Sequence, residues 1–365
     1  MGGSGLIATR LGTELANRGY EVHFLFYRKP FFLTQDKIPE NAHLHILEQP
    51  SYALFKDIGA PYTIQAASKL TDIIRTYNID ILNSHYAIPH AVSSYLASKM
   101  TNVKTVVSTH GSDVHSLGKD TSYRETLALA LSETDQVTSV SNFLARETES
   151  VFGLHPNSVK VIYDFVDTDE FKPLEAERKL NIIQASNFRP VKQIPYMIEI
   201  FAEVVKNFPE WKLDLVGNGP DWPLCMRKVR QLKVRQNVNF LNVRKDVPTL
   251  IANSSILAST SSIESFGLTL AEGMSCETPI WAPSVGGIPE VVEPGVTGEL
   301  YDIGSKDDAI NSLSKLMEDK AYRQKLGKNG RNYIKEHFSY EKIIKEYEIL
   351  FQSLLNSSIQ KPLLN

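Results

Sequence analysis

The amino-acid sequence predicts an α/β protein made of doubly wound parallel sheets in two domains, and three observations carry that reading. Short β-rich runs alternate with longer helical patterns from one end of the chain to the other, the pattern of parallel strands covered by helices. Many of those runs are apolar almost throughout, as expected where both faces of a sheet are buried. The chain has 365 residues, too many for one ordinary core, so two domains are expected.

In chain order, the candidate strands of the first half are Val22 to Phe26, Ile79 to Leu82, Thr105 to Thr109, Val137 to Val140 and Val159 to Ile162. Those of the second half are Asn181 to Ala185, Leu213 to Val216, Val238 to Leu241, Ile256 to Ser259 and Pro279 to Ala282. Between them, stretches such as Tyr62 to Tyr77 and Ile194 to Asn207 repeat apolar residues at three- and four-residue intervals, the period of an amphipathic helix. The alternation pauses once, around Asp164 to Lys179, where Asp167, Asp169, Glu170, Lys172, Pro173, Glu175, Glu177 and Arg178 make a polar stretch. Read as a linker, it sets domains at 1–165 and 166–335 and leaves 336–365 as a C-terminal helical segment. There Ile343, Ile344, Tyr347, Leu350 and Phe351 fall at helical spacing within Tyr340 to Leu355.

Apolar residues make up 42% and charged residues 22%, the mix of a soluble globular protein. No segment approaches the roughly 18 unbroken apolar residues that span a bilayer. Met1 to Gly5 carries neither the basic residues nor the apolar run of a signal peptide. A net charge of -3 argues against broad electrostatic binding to nucleic acid. Cys225 and Cys276 are isolated and lack metal-ligand spacing. A reduced, cytoplasmic enzyme is the expectation, with homo-oligomerisation left open.

The residues able to carry chemistry fall in loops after strands. Gly2-Gly3-Ser4-Gly5 leads into a helix expected from Leu6 to about Arg18; glycines admit a ligand to the backbone and the helix start offers N–H groups to an anion. A flexible terminal remnant or a simple cap fits that loop equally. Ser186-Asn187-Phe188-Arg189-Pro190-Val191-Lys192 follows a strand directly, where open α/β sheets bind ligands. Its two cations, a planar fork and a point charge, suit a diphosphate, although a solvated basic pair is the plain alternative. Val216-Gly217-Asn218-Gly219-Pro220 reads either as an ordinary turn or as room for a flat base or ribose.

The segment Glu264-Ser265-Phe266-Gly267-Leu268-Thr269-Leu270-Ala271-Glu272 reads as a loop entering a helix near Ser265. Two carboxylates eight residues apart then face one cleft and suit sugar and ribose hydroxyls, with the amides of Phe266, Gly267 and Leu268 open to phosphate oxygens. A capping Glu264 and a surface-paired Glu272 are the plain alternative. It is disfavoured by three such loops in one domain. In the first half, His110-Gly111-Ser112-Asp113 and His85, Tyr86, His90 also follow strands. His85 to His90 and His110 to His115 are each five residues apart, which misses the helical metal-binding pair. A polar wall against a sugar, formed by His110 and Asp113, stands beside the reading of a histidine bonded to backbone.

Taken together, the G-G-S-G loop, H-G-S-D, S-N-F-R-x-V-K, V-G-x-G-P, E-S-F-G-L-x-L-x-E and V-G-G-I-P-E-V-V at Val285 to Val292 resemble the family 4 retaining glycosyltransferases. The likeness runs over nearly the whole chain. It implies the GT-B fold: two Rossmann-like domains facing a cleft, with the C-terminal helix packing back on the first. Asn83-Ser84-His85-Tyr86-Ala87-Ile88-Pro89-His90-Ala91, and Ser186 to Lys192 with Pro190 in place of a lysine, are similar to the branch of the family that opens bacillithiol synthesis. That likeness implies transfer of N-acetylglucosamine from UDP-N-acetylglucosamine to L-malate with an α product.

Residue by residue, the resemblance implies that Arg189 and Lys192 bind the donor diphosphate and stabilise the leaving UDP. Glu272 would hold the ribose, and Glu264 with Ser265, Phe266, Gly267 and Leu268 the sugar and phosphates. Asn187, Gly217 and Gly219 complete the donor side. His110 would face the transferred sugar, making His110, Arg189, Lys192 and Glu264 the catalytic set. Gly3 and Ser4 would lie near the diphosphate, and Ser4, Tyr86, Ser112 and Arg124 on the acceptor side. No metal and no other cofactor is implied, the UDP-sugar being a substrate.

Two departures from the family pattern stand out. Relatives carry a strand ahead of the G-G-S-G loop, so the expectation is a first domain short of its first, central strand. Some malate-using relatives carry an arginine on the helix after H-G-x-D; Glu125 to Leu131 has none, and Arg124 is a nearby candidate. The alternatives are a polysaccharide or lipid-linked acceptor, for which Phe31, Phe32 and Leu33 are the hint, or a non-catalytic nucleotide-sugar-binding protein.

Overall fold

The computed structural model describes residues 3–27, 38–48 and 61–359. Gly2 of the glycine loop and Phe31, Phe32 and Leu33 lie outside those residues. The chain divides into two compact units, Met1–Tyr163 with Ile343–Asn365, and Asp164–Lys342. Among the described residues no helix is long and apolar enough to cross a membrane.

The first unit runs α1 (Gly3–Asn17), β1 (Val22–Phe26), β2 (Ala42–Ile46), α2 (Tyr62–Tyr77), β3 (Ile81–His85), α3 (Ala87–Thr101), β4 (Lys104–Thr109), α4 (Ser112–His115), α5 (Thr121–Ser132), β5 (Gln136–Ser139), α6 (Asn142–Phe152) and β6 (Lys160–Val161). Every strand pairing is parallel. The strands form two separate sheets, β1-β2 and β3-β4-β5-β6. Helix ends follow local chemistry. α2 closes on Asn78 in the left-handed region. α6 opens on Ser141, whose side chain accepts the Leu144 N–H, and closes on Gly153 at φ 65°. Val106, Val107, Leu127, Leu131 and Leu144 fill the core around β4. The first helix starts at Gly3, not at Leu6 as expected, so Gly3 and Ser4 are its first turn rather than a loop before it.

The second unit continues with β7 (Lys179–Ala185), a 3-10 turn at Pro190–Lys192, α7 (Ile194–Val204), β8 (Lys212–Val216), α8 (Trp222–Gln231), β9 (Val238–Asn242), α9 (Val247–Ala252) and β10 (Ser254–Ala258). Then come α10 (Leu268–Ser275), β11 (Ile280–Pro283), α11 (Ile288–Val291), β12 (Gly298–Tyr301), α12 (Lys306–Glu318) and α13 (Lys320–His337), before α14 (Tyr340–Ile359), which from Ile343 belongs to the first unit. Six parallel strands lie in the order β12-β11-β10-β7-β8-β9. The chain starts in the middle at β7, steps outward to β8 and β9, and crosses back to place β10 on the other side of β7. The reversal leaves a crevice beyond the carboxyl ends of β7 and β10, where open α/β sheets hold ligands.

Ile182, Ile198, Phe201, Trp211, Leu213, Leu215, Ile256 and Trp281 are wholly buried around this sheet or nearly so, which sets the strand ends rigidly. All five residues of β10 are buried, the hydroxyls of Ser254 and Ser255 donating to the Leu250 and Lys179 carbonyls. The stretch read as a linker has no helix or strand element of its own from Asp164 to Arg178. It is nonetheless anchored by buried Phe165, Val166 and Phe171, and Ser275 Oγ donates to the Phe171 carbonyl at 2.6 Å. Within the first unit, Glu348 on α14 pairs with Arg18 of the α1 end at 3.1 Å.

Candidate active site

In the second unit the three ligand-facing loops after β7, β8 and β10 are tied into one assembly. Lys192 Nζ donates to Glu264 Oε1 at 2.5 Å, with side chains 22% and 19% exposed. Ser261 Oγ donates to the same carboxylate oxygen at 2.7 Å. Underneath, Thr260 Oγ1 lies 3.0 and 3.1 Å from the carbonyl oxygens of Lys192 and Gln193. The Ser262 N–H donates to the Val191 carbonyl at 2.8 Å. A fourth loop supports Glu264 from behind. The Gly287 N–H donates to the Glu264 carbonyl at 2.9 Å, and Gly286, at φ +58°, comes so close that an added Cβ would lie 2.1 Å from that oxygen. This is the structural work of the V-G-G-I-P-E motif.

The sequence reading assigned Lys192 to phosphate and Glu264 to sugar independently; the fold pairs them directly. Arg189 and Asn187 are exposed at the rim of the same loop, so a planar cation stands beside an ion pair that a ligand can recruit.

One expectation for this unit changes. α10 starts at Leu268, with Gly267 as its N-cap at φ 95°. Glu264 is therefore held by loop contacts rather than by helical spacing to Glu272, which is half-buried in the helix. The helix start still offers the Gly267 and Leu268 amides to an anion. Phe266 is buried at 2% exposure and stacks edge-on to Phe338, so its ring anchors the loop. At Gly217 and Gly219 the space a side chain would take is filled by the neighbouring loop. An added Cβ on Gly217 would lie 1.9 Å from the Ser186 carbonyl oxygen, and one on Gly219 2.7 Å from the Phe188 carbonyl oxygen. They let the post-β8 loop lie against the post-β7 loop and so fix the backbone that carries Arg189.

In the first unit the ends of β3 and β4 carry the other cluster. His85 Nδ1 and His110 Nε2 are 3.0 Å apart, and Asn83 Nδ2 is 3.2 Å from His85 Nε2. Burial pushes the His110 imidazole down to about 4 and His85 well below its ordinary value. Both rings are therefore neutral near pH 7, and a single N–H joins them. Tyr86, at φ 74°, is a non-glycine residue in a region that costs energy and marks sites under functional constraint. Its hydroxyl is 2.7 Å from Ser112 Oγ.

Asp113 is the correction here. It is fully buried and accepts backbone N–H groups from Ala87 at 2.8 Å, Gly111 at 2.7 Å and His110 at 3.1 Å. It pins the H-G-S-D turn and leaves His110, Ser112 and Tyr86 as the groups that present polar atoms. Arg124 is exposed on α5 and pairs with its neighbour Glu125 at 3.2 Å, a contact worth little in water. Gly3 and Ser4 open α1 at its solvent-accessible start. Tyr347 of α14, read from its helical apolar repeat as core, is buried at 2% exposure, its ring centroid 6.4 Å from that of His85.

A crevice at a topological switch, bordered by cations and a helix start, suits a phosphate-bearing ligand, and the comparisons give the class of enzyme as a glycosyltransferase. Residues 1–170 match the family described as Glycosyltransferase Family 4, and residues 165–333 match Glycosyl transferases group 1. The chain is a glycosyltransferase and belongs to family 4. It is 35% identical over 370 residues to N-acetyl-alpha-D-glucosaminyl L-malate synthase of Bacillus anthracis, covering 97% of this chain and 95% of that one. It is 28% identical over 303 residues to a GDP-mannose-dependent monoacylated alpha-(1-6)-phosphatidylinositol monomannoside mannosyltransferase of Corynebacterium glutamicum, covering 76% and 78% of the two chains. In three dimensions it is similar to Anabaena HepE in complex with UDP-glucose, with a TM-score of 0.79, 20% identity, and coverage of 97% and 96%. That likeness shows the GT-B fold of the neighbours rather than a shared substrate.

Proposed function

We propose that this enzyme transfers N-acetylglucosamine from UDP-N-acetylglucosamine to the hydroxyl of L-malate, with retention of the α configuration and without a metal. The observation that carries the reading is identity of 35% spread over 97% of the chain with the synthase of B. anthracis. In the reaction the malate hydroxyl attacks the sugar C1 on the face from which UDP departs. The bond from C1 to the β-phosphate oxygen breaks, its electron pair leaves with UDP, and the hydroxyl proton passes to the departing phosphate.

Charge then grows on the diphosphate, and Lys192 and Arg189 are the groups that would meet it, with the Gly267 and Leu268 amides beside them. Glu264, bonded to Lys192 and Ser261, sets the position of the lysine and is available to sugar hydroxyls; Glu272 would take the ribose. Preorganised donors of this type are each worth on the order of 10²–10³ in rate. On the first unit His110 is neutral near pH 7, so a hydrogen bond it made to a sugar would bring no positive charge with it. Tyr86 and Ser112 would hold the acceptor, with Ser4 beside them.

The lack of an arginine from Glu125 to Leu131 favours, as the second reading, a larger acceptor that needs no arginine for a carboxylate. The test is UDP release from UDP-N-acetylglucosamine with and without L-malate. Malate-dependent release supports the proposal; binding of UDP without malate-dependent release rejects malate as the acceptor.

A further inference from the structure

We propose that Glu21, His23 and His43 form a site for a divalent cation of the zinc class on one face of the β1-β2 pair. The placement follows from strand geometry. Side chains two apart along a strand share a face, which puts Glu21 beside His23 and His43 beside His45. The parallel register sets His23 directly against His43, so one face of two short strands gathers three imidazoles and a carboxylate.

The distances match the coordination such ions take. Glu21 Oε1 is 3.0 Å from His23 Nε2 and 3.7 Å from His43 Nε2, and one ligand atom from each residue falls within 4.8 Å of the others. Metal–ligand bonds of about 2.0–2.1 Å in a tetrahedron put ligand atoms roughly 3.4 Å apart. Nδ1 of His23 is 3.0 Å from His45 Nε2. His45 thereby accepts from the far side of the ring and leaves Nε2 free to ligate, the usual outer partner of a metal-bound histidine.

Tyr77 of α2 covers the cluster, its ring centroid 4.3 Å from that of His23. The His23 side chain is 3% exposed while Glu21 and His43 are 60% and 45% exposed. An ion can therefore enter from solvent and keep a water as its fourth ligand. Two imidazoles and one carboxylate favour Zn²⁺, Co²⁺, Ni²⁺ or Cu²⁺ over Mg²⁺ or Ca²⁺. A search for helical metal pairs overlooks this site because its spacing belongs to strands. Bound there, the ion joins β1 to β2, a two-stranded ribbon that has little stability by itself.

The experiment uses the full chain freed of metal with a chelator, titrated calorimetrically with ZnCl₂ and MgCl₂, followed by Co²⁺ absorption spectroscopy. One saturable Zn²⁺ equivalent, no Mg²⁺ binding, and the visible bands of tetrahedral Co²⁺ are expected, with a rise in Tm on loading. His43→Gln and Glu21→Gln, both at exposed positions, should each weaken Zn²⁺ binding by at least about 10–100-fold, the loss typical of even an outer partner. Zn²⁺ affinity unchanged in both folded variants, equal binding of Mg²⁺, or no binding by the parent chain would overturn the proposal.

Discussion

Replacing Lys192 by methionine separates what the Lys192–Glu264 pair does for folding from what it does for catalysis. The pair spans 2.5 Å with each side chain about one-fifth exposed, so it lies between a surface pair and a fully buried one. Surface pairs contribute about 0–1 kcal/mol, and breaking a buried pair costs about 3–5 kcal/mol because the remaining charge is stranded. Glu264 keeps the Ser261 hydroxyl, which softens the loss, so K192M should lose about 1–3 kcal/mol of stability. The double change Lys192→Met with Glu264→Gln removes the stranded charge and should recover most of that.

Turnover should not recover with it. If Lys192 also meets the charge on departing UDP, kcat falls by on the order of 10²–10³ in K192M and stays down in the double variant. Urea unfolding followed by circular dichroism gives the first quantity, and steady-state UDP release gives the second. A double variant that regains turnover along with stability would refute the reasoning and reduce Lys192 to a loop strut.

Three further outcomes follow from the geometry. Gly217→Ala places a Cβ 1.9 Å from the Ser186 carbonyl at φ +123°, whereas Gly153→Ala meets nothing within 4 Å at φ +65°. G153A should therefore cost about 1–2 kcal/mol and G217A clearly more, with weaker UDP binding in G217A only, by denaturation and calorimetry. Asp164 is buried and its carboxyl is pushed up to about 7 by burial, above the ordinary 3.8. Its contribution is then fully present below pH 3.8 and lost as pH rises through 7. Asp164→Asn should raise stability relative to the parent at pH 8, with the gap closing toward pH 4. His110, pushed down to about 4 from 6.5, works in the opposite sense: stability is held above pH 6.5 and lost as pH falls toward 4. His110→Gln should flatten that acid-side decline, read from Tm against pH.

The helices and sheet strands were legible where one physical signal dominated. Tyr62 to Tyr77 is a helix over the span its apolar period predicts, and Val22 to Phe26 is a strand as read. Ile79 was misplaced because its N–H closes α2 on Ile74 after the left-handed Asn78, which moves β3 to Ile81–His85. β2 escaped notice since its two histidines broke the apolar run, and β12 because Gly298 to Tyr301 is short and polar at its centre.

The candidate-site loops were legible as motifs, because glycine and charge after a strand mark candidate ligand positions. What each residue does within them was less so. Asp113 looks like a ligand contact in a string of letters. Only the fold reveals the backbone N–H groups that occupy its carboxylate. The Lys192–Glu264 pair joins residues 72 apart, a distance no local pattern reports.

The central claim is best tested on the product itself. The enzyme is incubated with UDP-N-acetylglucosamine and L-malate and the anomeric proton of the product is observed by NMR as UDP appears. The account predicts N-acetylglucosaminyl malate from the first turnover, with the small H1–H2 coupling of an α linkage. A β-linked product would contradict retention, and UDP-N-acetylglucosamine left intact by a folded, UDP-binding enzyme in the presence of malate would contradict the assigned reaction.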